Sequence, residues 1–168
     1  ISLVIRQINF QISKNWWDQF PYTLRLITKI RFYAAFAAGG VIYLTSLIFN
    51  NIGLSATDIG LGFTISAIIG TLTRFFTGNY LNKTGKIQLP LITSSILSII
   101  ASFFFICSRD TFLYIIGQSF VGASAGIYWP TAEFGVPYFC HPIDTRKAYS
   151  LVRSSEALGI FLGVFLGG

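Results

Sequence analysis

Five long apolar runs dominate this chain and constrain what it can fold into. Each is about as long as the roughly 20-residue helix that crosses the hydrocarbon core of a bilayer. The predicted spans are residues 32–50, 59–81, 87–108, 111–134 and 148–168. These runs are too long for barrel strands and lack their alternation, so they predict helices. The sequence therefore predicts an all-α membrane protein, with a leader at residues 1–31 and a transmembrane bundle at residues 32–168.

The scarcity of charge supports the same fold class. Charged residues make up 11% of the chain, against about a quarter in a soluble domain, so they are too few to coat a globular surface. The net charge of +6 could suggest a nucleic-acid-binding protein. Its basic residues instead sit at the ends of apolar runs, as at a membrane boundary, so we expect lipids and no nucleic acid as partners.

The basic residues also predict the orientation of the chain. The leader contains Arg6, Lys14, Arg25, Lys29 and Arg31, and two connections contain Lys83 with Lys86 and Arg146 with Lys147. The remaining connections contain a single basic residue, Arg109. The positive-inside bias then places the N-terminus in the cytoplasm, with odd-numbered spans running outward. Trp16 and Trp17 in the leader suit the headgroup region, although an ordinary cytoplasmic tail is an equal alternative.

Ionisable side chains inside predicted spans are candidates for function, because they are costly in a bilayer. Arg153 and Glu156, three residues apart in the fifth span, share a helix face and are expected to pair. For Arg153, a local salt bridge or snorkelling to the interface is the favoured interpretation. Glu156 lies deeper and is the candidate to accept and release a proton. Arg74, in the second span, is interpreted as a structural anchor.

Glu133 ends the fourth span, three residues after Pro130, a residue that tends to kink a helix. We expect Glu133 to form a latch with Lys83 or Lys86, with proton coupling as the alternative. Neither the lone His141 nor the two cysteines, Cys107 and Cys140, occur in a metal-binding or nucleophile pattern. The sequence therefore predicts no catalytic residues, no bound metal and no cofactor, and the protein is not expected to be an enzyme.

The polar stretch "RFFTGNYLNKTGK" between the second and third runs resembles the signature loop of the major facilitator superfamily. The matching frame is Gly78, Leu81, Asn82, Lys83, Gly85 and Lys86. This resemblance implies that Gly78 lets helices of two halves approach closely, and that Gly85 lets the backbone reverse. We interpret "GNYLNKTGK", residues 78–86 of this stretch, as a cytoplasmic turn.

Two further stretches resemble the same family. "GQSFVGASAGIYWPT" is similar to its fourth helix, with the small residues Gly122 and Gly126 four positions apart. "DTRKAYSLVRSSEALGIFLGVFLGG" is similar to the turn into its fifth helix, where the packing stripe would be Gly159, Gly163 and Gly167. The sequence departs from the family pattern where Asn82 replaces an aspartate, Gln118 an arginine and Val164 a proline. These departures weaken the expectation of the usual charge relay and of antiport.

The resemblance implies a secondary transporter that moves a small organic or amphiphilic solute by alternating access, with proton coupling. Such transporters have two six-span halves, so we expect this chain to be an N-terminal portion, an incomplete bundle. The candidate cavity residues on the first and fourth spans are Tyr43, Asn50, Asn51, Gln118, Tyr128 and Trp129; some could instead be interfacial anchors. The competing hypothesis is a non-transporting membrane subunit that binds a larger complex, which the substituted motif charges and the leader tryptophans favour.

Overall fold

The computed structural model describes residues 16–139 and 144–167, and within these residues the chain is helical. The helices are α1, Tyr22–Ile52; α2, Ala56–Thr84; α3, Gln88–Cys107; α4, Thr111–Phe139; and α5, Thr145–Gly167. The described residues form no β-strand. The predicted all-α fold class is confirmed.

Four helices, α1, α2, α3 and α5, are long and apolar enough to cross a membrane. Helix α4 has 29 residues and is long enough, but it is not among the four. Its mean hydropathy is lowered by the glycines, the serines and Gln118 in its sequence. The predicted span at residues 111–134 therefore stays a prediction, while the other four gain support from length and composition.

Helix α1 begins well before the first predicted span. Pro21 precedes it, and the carbonyl oxygen of Pro21 accepts a hydrogen bond from the backbone N–H of Arg25 at 3.0 Å. Proline suits the start of a helix, where its missing N–H is not needed. Residues 22–31, predicted to belong to the leader, are therefore helical. The apolar run marks where lipid-compatible residues begin, which is a different boundary from the start of the helix.

The interpretation of the whole stretch 78–86 as a turn is wrong, because helix α2 continues through Thr84. Gly78, Leu81, Asn82 and Lys83 lie on its last two turns. Gly85 then adopts the left-handed conformation, with φ 64° and ψ 2°, and donates its N–H to the Leu81 carbonyl oxygen at 2.8 Å. Glycine adopts this conformation without the steric cost that other residues incur, so Gly85 ends the helix as predicted. Lys86 follows in the connection.

The chain divides into two compact units, which are described separately. The first comprises Ile1–Gly40 and Val136–Leu166, of which residues 16–40, 136–139 and 144–166 are described. Its buried core is formed by Phe20, Leu24, Val136, Ala148 and Val152. Within this unit α1 and α5 run parallel, because successive turns of one contact successive turns of the other: Ser155 contacts Thr28, Gly159 contacts Phe32 and Gly163 contacts Phe36.

The second unit comprises Val41–Gly135 with Gly167, among the described residues. Its core contains the buried residues Phe49, Leu54, Ile59 and Tyr114. Helices α2 and α4 pack closely where Gly122 faces Ser66 and Gly126 faces Gly70. Helices α3 and α4 are joined by the hydroxyls of Ser98 and Ser124, 2.7 Å apart. These contacts place the fourth helix firmly against two neighbours in its own unit.

Candidate functional site

The first unit contains a buried ion pair that joins two helices. Arg31, on α1, donates to Oε2 of Glu156, on α5, from Nε at 3.1 Å and from Nη2 at 2.8 Å. The Arg31 side chain is 1% exposed and that of Glu156 is 15% exposed. Charges removed from water this completely need a partner, because burying an unpaired charge is strongly unfavourable. The pair therefore ties α1 and α5 together.

Arg153 provides a second cation for the same carboxylate. Its Nη1 lies 3.2 Å from Oε2 of Glu156, and the two residues are three apart on α5. The predicted pairing of Arg153 with Glu156 is thus present in the structure. Unlike Arg31, Arg153 has a half-exposed side chain, at 56%. One carboxylate shared by two guanidinium groups leaves the cluster with one net positive charge.

Close helix packing holds this cluster in place. A Cβ on Gly159 would lie 2.5 Å from the carbonyl oxygen of Phe32, and one on Gly163 would clash with that of Phe36. Both glycines are buried on the α1-facing side of α5. Small residues at such positions let two helix backbones approach closely in a membrane. The expected packing role is therefore seen for Gly159 and Gly163, whereas Gly167 is the last residue of α5 and is half-buried.

Other residues of this contact were not identified from the sequence. Arg31 was counted among the basic residues of the leader, because it directly precedes an uncharged run. Gly39 packs against the backbone of α5, where a Cβ on it would lie 2.5 Å from the carbonyl oxygen of Ile160. Gly40 faces Gly163. The adjacent glycines Gly39 and Gly40 in "FAAGG" could have indicated that α1 packs closely against another helix at this point.

The family comparison agrees with this helical membrane architecture. The family model described as Major Facilitator Superfamily matches residues 30–168. The chain belongs to the major facilitator superfamily. Members of this family are transporters rather than enzymes, and with four candidate spans the chain is an integral membrane protein. Searches of curated proteins and of solved structures found no match.

The superfamily loop motif forms a partly open face on α2. Arg74, Gly78 and Asn82 are spaced four residues apart, so they lie along one side of the helix. Arg74 and Asn82 are exposed, and a Cβ on Gly78 would meet no atom within 4 Å. Leu81, by contrast, is 2% exposed and packs inward. The close approach expected at Gly78 is not made by the part of the chain that the structure describes, and it stays a prediction.

On the superfamily's fourth helix, Gln118 is buried and engaged within the protein. It is 2% exposed, and its Nε2 donates to the Tyr114 hydroxyl at 3.2 Å. That hydroxyl in turn donates to the Ile59 carbonyl oxygen, also at 3.2 Å. Both side chains contact the position where a Cβ on Gly62 would lie. The Tyr114 hydroxyl thus links α4 to α2, with Gln118 donating to it from the same helix; the role of Gln118 as a cavity residue stays a prediction.

The remaining candidates are distributed over α1 and α4. Asn50 and Asn51 are exposed in the last turn of α1, and the side chain of Tyr43 lies outside the described residues. Tyr128 and Trp129 are half-buried, with ring centroids 5.0 Å apart and an interplanar angle of 75°. Glu133 is half-buried on α4. The structure does not bring these residues together with the Arg31–Glu156 pair in one unit, and the expected latch between Glu133 and Lys83 or Lys86 stays a prediction.

Proposed function

We propose that this chain is part of a secondary transporter that moves a small organic or amphiphilic solute by alternating access, coupled to protons. The observation that carries the proposal is the sharing of the Glu156 carboxylate between Arg31 on α1 and Arg153 on its own helix. Membership in a transporter family supplies the class of activity. Ionisable groups within membrane helices commonly mark proton relays and solute pathways.

The two arginines have different consequences for movement. The bond from Arg153 lies within α5 and survives any displacement of that helix as a rigid body. The bond from Arg31 joins α1 to α5 and breaks when the two helices slide or separate. During such a movement Glu156 would therefore keep its contact with Arg153 and lose its contact with Arg31. A proton on Glu156 removes its negative charge and weakens the link to Arg31, which gives protonation a route to a change in helix packing.

The open face of α2, formed by Arg74, Gly78 and Asn82, supports the proposal that this chain packs against a second six-span half. Arg74 has no ion-pair partner among the described residues, and Gly78 leaves room beside it. Superfamily transporters rock one six-span half against the other around a midplane site. We propose that this face meets the second half, and that the N-terminus is cytoplasmic. The alternative, a subunit bound to a larger complex, predicts instead that replacing Trp16 and Trp17 releases the partner while solute uptake is absent throughout.

Uptake by the intact protein tests the proposed coupling. Glu156→Gln and Glu133→Gln are each compared with the wild type in proteoliposomes carrying an imposed pH gradient. With reconstitution matched to equal amounts of folded, inserted protein, we expect Glu156→Gln to abolish gradient-driven uptake while retaining solute exchange without a gradient. The matched control is Arg146→Gln. The Arg146 side chain is 95% exposed, so this substitution should leave uptake unchanged. Unchanged gradient-driven uptake in both glutamine variants would contradict proton coupling through these carboxylates.

A further inference from the structure

A groove runs along the surface of the first unit between α1 and α5. Its volume is about 460 Å³, and Trp17, from the segment before α1, lines it together with residues of both helices. Its walls include Phe32, Tyr33 and Leu158, which provide an apolar surface. Its polar lining includes Lys29 and Ser154. The groove is thus mainly apolar, with a few polar groups in its lining.

Some polar groups of this groove are donors without a described partner, whereas the Thr28 and Ser155 hydroxyls in its lining donate to backbone carbonyl oxygens. The Lys29 ammonium group and the Ser154 hydroxyl are exposed, and neither makes an ion pair or hydrogen bond with any described residue. Trp17 is half-buried, and its indole N–H makes no hydrogen bond with any described residue. Among the residues that the structure describes, the lining contains one cation and no carboxylate. A site with free donors and a positive charge is complementary to an anion.

A second groove adds another cation beside the first. It also has a volume of about 460 Å³, it shares Leu151 and Ser154 with the first groove, and it is lined by Lys147. The described part of this unit contains six Lys and Arg residues but three Asp and Glu residues. Each of those carboxylates already faces an arginine: Asp18 faces Arg25, Asp144 faces Arg146, and Glu156 faces Arg31 and Arg153. Lys29 and Lys147 are therefore not neutralised by the carboxylates of this unit.

We propose that this groove binds one anionic phospholipid. Its phosphate contacts Lys29, Ser154 and the Trp17 indole, with Lys147 adding positive potential, and one acyl chain lies against Phe32 and Leu158. Basic pockets between membrane helices suit anionic lipid headgroups, and tryptophan favours the headgroup level. Lys29 lies three residues before the first apolar run, which places it at that level. The apolar walls favour a lipid over a free anion, since a free anion would leave them without a partner.

Native mass spectrometry of the intact protein in detergent tests this site. The delipidated protein is offered phosphatidylglycerol and phosphatidylcholine with identical acyl chains, and the bound copies of each are counted. We expect one phosphatidylglycerol to be retained preferentially. Lys29→Gln should weaken its retention by about tenfold, the loss expected when one charge-assisted hydrogen bond is removed. Lys29→Arg, which keeps the charge, should retain it.

Three comparisons separate this site from general attraction between charges. Lys83→Gln removes the same charge from the last turn of α2, at a residue that lines neither groove, and should leave retention unchanged. Leu158→Trp fills the apolar part at an exposed position and should reduce retention with Lys29 intact. Inorganic phosphate should not displace the lipid. Equal retention of the two lipids, equal losses in Lys29→Gln and Lys83→Gln, or displacement by phosphate alone would each overturn the proposal. None of these outcomes depends on transport.

Discussion

Arg31 and Glu156 are 125 residues apart in the chain, yet Nη2 of the arginine lies 2.8 Å from Oε2 of the carboxylate. This contact is possible because α1 and α5 run parallel and their backbones meet at Gly159 and Gly163. The first helix and the last described helix are thereby joined both by packing and by charge. Stability and activity of the protein should both depend on this pair.

Removing either partner of the pair should destabilise the protein. Glu156→Gln leaves the buried Arg31 charge without this carboxylate, at an expected cost of about 3–5 kcal/mol. Arg31→Gln should cost less than this, because Glu156 keeps its contact with Arg153, but more than the loss of Arg153. The double variant should recover part of that loss, because no lone charge remains. Arg153→Gln should cost at most about 1 kcal/mol, since its side chain is half exposed. Thermal unfolding in detergent, followed by circular dichroism, measures the series; equal losses for Arg31 and Arg153 would contradict this difference.

A methyl group at Gly163 should disturb the α1–α5 contact. Its Cβ would clash with the Phe36 carbonyl oxygen, and backbone cannot move aside as a flexible side chain can. We expect Gly163→Ala to cost about 1–3 kcal/mol through overpacking. The matched control is Gly60→Ala on α2, where a Cβ meets nothing within 4 Å. There, alanine should be neutral or stabilising by up to about 1 kcal/mol, because it favours the helix. Thermal midpoints that fall equally would argue against the close packing.

The Tyr114 hydroxyl should contribute to stability in the second unit. It donates to the Ile59 carbonyl oxygen and accepts from Gln118, so Tyr114→Phe removes two hydrogen bonds and leaves a buried amide without that acceptor. The expected cost is about 1–3 kcal/mol. Tyr80→Phe is the control, because the Tyr80 hydroxyl makes no hydrogen bond with a described residue. Thermal unfolding of both variants measures the difference; an unchanged midpoint for Tyr114→Phe would show that these bonds contribute nothing net.

Single cysteines in two connections should report the orientation of the chain. In a background with Cys107→Ala and Cys140→Ala, the variants Arg109→Cys and Lys86→Cys place a thiol at exposed positions between helices. With a cytoplasmic N-terminus, the second-to-third connection is inside and the third-to-fourth is outside. A membrane-impermeant maleimide added to whole cells should label Arg109→Cys and spare Lys86→Cys. The reverse pattern would invert the proposed topology.

The helices could be predicted from sequence because spanning length and apolar composition are local properties. Gly85 was also predictable, since a glycine followed by basic residues commonly ends a helix. The helix was expected to end near residue 81 and the stretch from residue 78 was interpreted as a turn, because its polar and cationic residues interrupt the apolar run; the helix continues through Thr84, since such residues are compatible with a helix even where they do not suit lipid. The partnership of Arg31 with Glu156 depends on which distant helices become neighbours. A single sequence contains no local pattern that reports such contacts.

Accumulation of solute by proteoliposomes tests the central claim most directly. The intact protein is reconstituted, a mixture of small organic solutes is added, and the trapped contents are measured by mass spectrometry with a proton gradient imposed in either direction. The account predicts that at least one solute accumulates in a gradient-dependent manner above protein-free liposomes, and that a protonophore abolishes this accumulation. Solute contents equal to those of protein-free liposomes under both gradients, with the protein folded and inserted, would contradict it.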